Sequence, residues 1–243
     1  MEHLNNIFKE LSQKASPDAI EKLIKYSNMI HEENQKYNLT GFKILNEIAA
    51  NLVFESINPL ININVPRGTF FVDIGCGAGV PGIPLGIMSS DMRGVLIDSN
   101  KKKTAFVSNV IKSLEISNLS VVNGRVEELA NLPEFRQRAN FVVCRAFAEP
   151  YVALEMGVPL LAVGGLLYLF SKFTVDELER GIVEHGVRLG VVGVERAEMG
   201  KYGFPEVGLL FVKTKSTPVG FPRRFSVVRK YAGSFRKQDV GGK

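Results

Sequence analysis

One stretch of this chain limits its possible folds more than any other: Asp73-Ile74-Gly75-Cys76-Gly77-Ala78-Gly79-Val80-Pro81-Gly82. It joins an apolar, strand-like run at residues 69–74 to a helix-like run at 80–88. Glycines at such a joint let the backbone bend sharply and let a ligand approach where a Cβ would otherwise stand. A tight turn and close helix packing ask for glycine too, so the turn alone does not establish a site. The next segment adds the missing constraint: residues 94–97 read as a second strand ending at Asp98, completing a strand-helix-strand unit. In sheets built from such units, ligands bind beyond the carboxyl ends of the strands.

The alternation continues along the chain. Residues 101–114 form a helical pattern with Ala105, Phe106, Val110, Ile111 and Leu114 on one face, and strands are expected at 119–122, 141–144 and 165–170. Helices are expected at 151–160 and 175–184, and strands at 187–194 and 207–212 complete the set. Strands separated by helices imply an α/β fold, an open parallel sheet covered on both faces. Ahead of it, residues 1–64 read as helical. Ile20, Leu23 and Ile24, then Ile44, Leu45, Ile48, Leu52 and Val53, stand at helical spacing on either side of the polar turn Tyr37-Asn38-Leu39-Thr40-Gly41. The expected division is a helical extension (1–64), an α/β domain (65–212) and a basic C-terminal tail (213–243).

Composition removes several classes. With 45% hydrophobic and 23% charged residues, a chain of 243 can bury a substantial core, which excludes wholesale disorder and collagen-like or coiled-coil fibres. No apolar run reaches the ~18 residues of a membrane span, and residues 1–10 carry charges where a secretion signal would be apolar. A cytoplasmic protein with no membrane partner is expected. Cys76 and Cys144 cannot build a disulfide framework, and His3, His31 and His185 lack ligand spacing, so no metal is expected. The net charge of +5 is unevenly placed: residues 213–243 hold nine Lys/Arg and one acid, +8, which leaves −3 for residues 1–212. Such a surplus suits a polyanion, and equally a solvated terminus.

Gly77, Gly79 and Gly82 satisfy the dinucleotide spacing GxGxxG, so an NAD(P)-dependent oxidoreductase is one reading of the turn. Asp73 argues for another. A carboxylate at the mouth of the first strand would repel a pyrophosphate and attract the ammonium group of S-adenosyl-L-methionine. Asp98, at the end of the second strand, can accept hydrogen bonds from a ribose diol in either cofactor. Together Asp73 and Asp98, around Gly75, Gly77 and Gly79, favour the methyl donor. At the end of the third strand, Asn123-Gly124-Arg125-Val126-Glu127-Glu128 faces the same crevice and can reach the adenine. At the end of the fourth, Arg145 follows the apolar run Phe141-Val142-Val143 and would point into the crevice, unless it only pairs Glu127 or Glu149.

Taken in order, these motifs resemble the small-subunit ribosomal RNA guanine-N7 methyltransferase family, RsmG or glucose-inhibited division protein B. The matching pieces, over residues ~30–172, begin with Tyr37-Asn38-Leu39-Thr40 and the loop from Asp73 to Leu85 with its Pro81-Gly82-Ile83-Pro84. Then come Leu96-Ile97-Asp98-Ser99 with Lys101-Lys102-Lys103, Gly124-Arg125-Val126-Glu127, and Cys144-Arg145-Ala146. The resemblance implies a Rossmann-like class I S-adenosyl-L-methionine-dependent methyltransferase, with a mostly parallel seven-stranded sheet and an N-terminal helical extension. It implies methyl transfer to N7 of one guanine, guanine 527, in the decoding-region loop of 16S rRNA. The partner it implies is 16S rRNA or the small ribosomal subunit, mature or in assembly. By motif position, Gly75, Val80, Val126, Glu127 and Arg145 would contact the donor. Arg125, Arg145 and Lys172 would be catalytic, facing RNA or stabilising the reacting base, and Arg223, Arg224, Arg229 and Lys230 would bind RNA. Where the family shows His followed by Asp-Ser, this chain has Asn51 and Glu55-Ser56, and Lys172 is followed by Phe173 where glycine is common. A small-molecule methyltransferase is the nearest alternative, disfavoured by the basic C-terminus.

Overall fold

The computed structural model describes residues 15–57, 63, 65–171, 180–197 and 207–238. Among them, seven strands form one sheet: β1 (Phe70–Ile74), β2 (Arg93–Asp98), β3 (Leu119–Asn123), β4 (Ala139–Arg145), β5 (Leu161–Ser171), β6 (Val191–Ala197) and β7 (Val207–Lys213). Their order is β3-β2-β1-β4-β5-β7-β6. The five strands from β3 to β5 are parallel, whereas β7 runs antiparallel to both β5 and β6. Among the described residues, the α-helices of four residues or more are α1 (Pro17–Asn34), α2 (Gly82–Met88), α3 (Lys101–Ser113), α4 (Val126–Leu129), α5 (Pro150–Gly157), α6 (Arg180–Leu189) and α7 (Phe225–Gln238). A π-helical segment, Ile48–Phe54, lies between α1 and β1.

Central strands can be apolar on both sides only if helices cover both faces. Phe71, Phe141 and Val143 pack on one face with Leu23, Tyr26 and Ile30 of α1 and with α2 and α3. Val72, Ile74 and Val142 pack on the other with α5, Leu189 of α6, and Val228 and Ala232 of α7. The N-terminal extension and the C-terminal helix are therefore parts of opposite layers. α1 starts where the sequence provides a cap: the Ser16 side chain accepts from Ala19 N at 3.2 Å, and Pro17 occupies the first turn, where a missing N–H goes unnoticed.

Two expectations change. The strand expected at 187–194 begins only at Val191: α6 runs to Leu189, and Gly190, at φ +94, takes the left-handed conformation that ends a helix. Val187 stands on the solvent side of α6, so its apolar character misled the strand reading. The stretch expected as a basic tail from residue 213 is, up to residue 232, part of the body. Lys213 is buried in β7 and donates to the carbonyls of Val158 at 2.9 Å and Leu161 at 2.6 Å; burial lowers its ammonium pKa to about 8. Arg136 donates to the carbonyls of Thr217, Pro218 and Phe221, fastening the approach to α7.

Arg223 then closes an ion pair on the fully buried Glu155, through its backbone N at 2.9 Å, Nε at 2.8 Å and Nη2 at 2.6 Å. His185 Nε2 lies 3.0 Å from the same carboxylate, and its ring stacks on Tyr151 at 3.9 Å. Burial alone would raise the Glu155 pKa, but the hydrogen bonds from Arg223, with the His185 ring alongside, hold it down at about 2. Among the described residues, no helix is long and apolar enough to cross a membrane, and no three His, Cys, Asp or Glu stand together as metal ligands.

Candidate functional site

From β1 the chain builds outward through β2 to β3, then returns to the other side of β1 with β4 and β5. Connections that leave β1 and β4 in opposite directions open a crevice at their carboxyl ends, the switch point where ligands of such sheets bind. The glycine turn forms its floor. Cys76 N donates to Ile97 O at 3.0 Å, and Gly77 N to Asp98 Oδ2 at 2.9 Å, while Asp98 Oδ1 accepts from Asn100 N at 2.8 Å. Asp98 thus ties the turn to the start of α3, and each oxygen retains a lone pair. Gly75 has φ +67, and a Cβ there would collide with the Phe147 ring, so both conformation and space require glycine.

Asp73 departs from its expected place. It lies fully buried beneath the turn, where Oδ2 accepts from Gly82 N at 2.9 Å, and it lines no cavity of the crevice. Its Oδ1 has no hydrogen-bond partner, and burial raises the carboxyl pKa to about 7 against the lowering effect of the Gly82 N–H. Asp73 shapes the turn from beneath, outside the lining of both cavities described below. Gly79 also stays out of the crevice lining, facing Ile83 and the Tyr26 hydroxyl.

Two cavities meet above Gly75. The first, about 280 Å³, takes Asp98, Arg125, Val126 and Glu127 from the ends of β2 and β3, with Phe147 and Phe225 opposite. The second, about 290 Å³, takes Gly77 and Val80 from the glycine turn, Arg145 from β4, and Leu39 to Phe42 from the extension. Gly75, Lys103 and Ala146 line both. Each alone is at the small end of the ~300–1,000 Å³ typical of small-molecule sites, and joined they lie well within it. A third cavity, about 300 Å³, lies past Ala146 and Phe147 at the ends of β4 and β5, with Glu149, Phe170 and Ser171 on its wall.

The extension reaches the crevice through specific bonds. The Asn34 side chain accepts from Leu39 N at 2.9 Å and Thr40 N at 3.0 Å and donates to Phe42 O at 2.7 Å, folding the Tyr37-Asn38-Leu39-Thr40 turn over the second cavity. Tyr26 of α1 donates its hydroxyl to Ala78 O at 2.7 Å, pinning the glycine turn from below. Arg145 does emerge toward the crevice, yet Nη1 donates to Leu52 O at 2.8 Å and Nη2 to Asn51 O at 2.9 Å. It straps the π-helical segment to the sheet. Asn51 enters through its carbonyl, a role its side chain does not reveal.

Arg125 is mostly exposed at the rim, 3.8 Å from Glu127. Arg224, Arg229 and Lys230 are exposed, whereas Arg223 is engaged by Glu155. Lys172 lies outside the described residues. The sequence reading assigned no role to Lys103, Phe147, Phe225 or Tyr26. The run Lys101-Lys102-Lys103 was visible, but which lysine faces inward depends on where α3 begins.

The residues at hand suit a nucleoside: a carboxylate with free lone pairs for a diol, and Val126 and Glu127 for the flat base beside it. They do not offer a nucleophile, since burial pushes the thiol pKa values of Cys76 and Cys144 upward.

The family described as rRNA small subunit methyltransferase G matches residues 19–186. The ribosomal RNA small subunit methyltransferase G of Carboxydothermus hydrogenoformans is 33% identical over 231 residues, covering 93% of this chain and 97% of that protein. That of Desulfitobacterium hafniense is 34% identical over 219 residues, covering 88% and 89%. Among solved structures, the fold is similar to Aeropyrum pernix fibrillarin in complex with natively bound S-adenosyl-L-methionine (TM-score 0.51, 12% identity, 65% of this chain and 73% of that one). It is also similar to the Methanococcus jannaschii fibrillarin pre-rRNA processing protein (TM-score 0.51, 14% identity, 63% and 70%).

Proposed function

This chain belongs to the rRNA small subunit methyltransferase G family, and from that premise we propose that it methylates N7 of one guanine of 16S rRNA, with S-adenosyl-L-methionine as donor. The observation that carries this reading is the first cavity, lined by Asp98, Val126 and Glu127 inside the matched segment, residues whose chemistry suits a nucleoside. When bound, the donor supplies an electrophilic methyl group on a sulfonium. Asp98 would accept from its ribose hydroxyls, Val126 and Glu127 would hold its adenine, and Gly75 and Gly77 would leave room for the rest of the molecule.

Guanine N7 carries an exposed lone pair, so its methylation requires no prior deprotonation. That agrees with a crevice whose thiols are pushed toward neutrality and whose Asp98 is already held by two backbone N–H groups. The protein's contribution is then chiefly orientation, which can supply ~7 to 11 kcal/mol of a barrier. The third cavity, with Phe147 and Phe170 in its wall, suits an unstacked base. Arg145 positions the extension, Arg125 stands at the rim, and Arg224, Arg229 and Lys230 are exposed on and just before α7, the helix whose Phe225 lines the first cavity, where they can neutralise phosphates.

The test is transfer from tritium-labelled donor to small ribosomal subunits that lack the modification. Label in 16S rRNA, recovered as 7-methylguanine after hydrolysis, is the expected result. Label recovered on any other base or position sinks the N7 assignment, and absence of transfer to both subunits and naked rRNA sinks the substrate assignment.

A further inference from the structure

Of the three consecutive lysines that open α3, Lys101 and Lys102 are exposed, and Lys102 lies 5.8 Å over the Tyr37 ring. Lys103 turns inward. The Asn100 cap fixes that register, its side chain accepting from Lys102 N at 2.9 Å and Lys103 N at 3.5 Å. Lys103 is half-buried on the wall shared by the two cavities above Gly75, and its charge acts on the Cys76 thiol below. No carboxylate or carbonyl among the described residues takes its ammonium. An ammonium on a cavity wall that no protein group takes is open to an anionic ligand, with which it can form a charge-assisted hydrogen bond.

The surroundings say which anion fits. Asp98 shares the first cavity but forms no ion pair with Lys103; each of its oxygens holds one backbone N–H and keeps its remaining lone pair for the ribose diol. Arg145, the other cation of the second cavity, has both Nη atoms on the carbonyls of Asn51 and Leu52. A nucleoside held by Asp98 and Val126 must extend past Gly75 into the second cavity, and Lys103 stands at that passage. Phosphates of a docking RNA would meet the outward lysines first.

We propose that Lys103 receives the α-carboxylate of the donor's amino-acid end, and so selects the complete donor over adenosine thioethers that lack that end. The proposal rests on the functional reading above. It makes Lys103 a binding residue that fixes one end of the donor while Asp98 fixes the other.

Calorimetry on the full chain tests it with two probes: S-adenosylhomocysteine, and 5′-methylthioadenosine, which keeps the nucleoside thioether but has no carboxylate. Lys103→Met should weaken S-adenosylhomocysteine about 10- to 100-fold, the range of a lost charge-assisted hydrogen bond, and leave 5′-methylthioadenosine within about 2-fold. Lys103→Arg should recover most of the loss. Unchanged S-adenosylhomocysteine affinity in Lys103→Met overturns the proposal, as does equal weakening of both probes. A defect confined to small-subunit binding, with a lower salt slope, would make Lys103 a phosphate contact instead. Wild-type protein that binds neither probe would overturn the functional reading itself, an outcome distinct from the others.

Discussion

Replacing Arg145 by alanine separates two roles that the sequence could not. As a group acting on the reacting base, Arg145 could be removed with little effect on folding. The structure gives it another employment: two bonds, 2.8 Å and 2.9 Å, to the carbonyls of Leu52 and Asn51, from a side chain almost wholly buried. A hydrogen bond to a charged group contributes about 1.5–3 kcal/mol. Leu52 and Arg145 line the second cavity, where water can replace part of the loss, so the lower bound applies to each and the total is about 3 kcal/mol. For a domain of this size each kcal/mol shifts the melting midpoint by about 2–4 °C, which gives a fall of about 6–12 °C. Circular dichroism melts of wild type, Arg145→Ala and Arg145→Lys would measure it, with methyl transfer assayed well below every midpoint. Arg145→Lys, whose ammonium cannot match the two-pronged guanidinium, should lose about half as much. Donor affinity should also fall, because Leu52 and the 39–42 turn line the second cavity. An Arg145→Ala protein that melts within about 1 °C of wild type yet transfers no methyl would refute the strap and return Arg145 to the reacting base.

Three further outcomes are expected from the same geometry. Burial raises the Asp73 pKa to about 7, so the folded chain holds a proton that the unfolded chain releases near 3.8; the stability this group contributes is full below about pH 4 and lost as pH rises through 7. The stability of Asp73→Asn relative to wild type should therefore increase from pH 5 to 8 in urea titrations, and a pH-independent difference would contradict it. Tyr26→Phe leaves the Ala78 carbonyl unpaired beneath the glycine turn and should cost about 1–3 kcal/mol in denaturant unfolding, with weaker donor binding; undisturbed stability would show that the turn holds itself. Arg224→Ala and Arg229→Ala should each lower the salt dependence of small-subunit binding by up to one phosphate's worth while melting normally, whereas Arg223→Ala, which strands the buried Glu155, should melt early. Matching melts for Arg223→Ala and Arg224→Ala would show that the ion pair does not anchor α7.

What could be read from the sequence divides along a physical line. That Asp98, Val126 and Glu127 share one cavity wall is legible because each stands at or just after a strand end, and a parallel sheet gathers such positions at one edge regardless of what packs elsewhere. Side-chain parity was legible as well: Val72 and Ile74 share a face, so Asp73 must join Phe71 on the other. Parity does not reveal the cover. Asp73 is buried because the chain folds back to bring Gly82 N over it, and Arg145 is engaged because a segment 93 residues earlier in the chain lies against β4. Charge counting failed at the C-terminus for the same reason. Lys213 and Arg223 count as surface charge until Val158, Leu161 and the buried Glu155, far away in sequence, are seen to hold them.

Long-range cover matters most for the extension. A helical appendage ahead of an α/β domain would be dispensable for a site at the strand ends, but here Tyr26 supports the glycine turn, Asn34 shapes the 39–42 turn, and the π-helical segment is held by Arg145. A large part of the second cavity's wall therefore comes from residues before β1. A division at residue 64 describes the order of the chain and not a physical boundary, because the first cavity is lined by residues that all follow β1, whereas the second takes Leu39 to Phe42 and Leu52 from the extension.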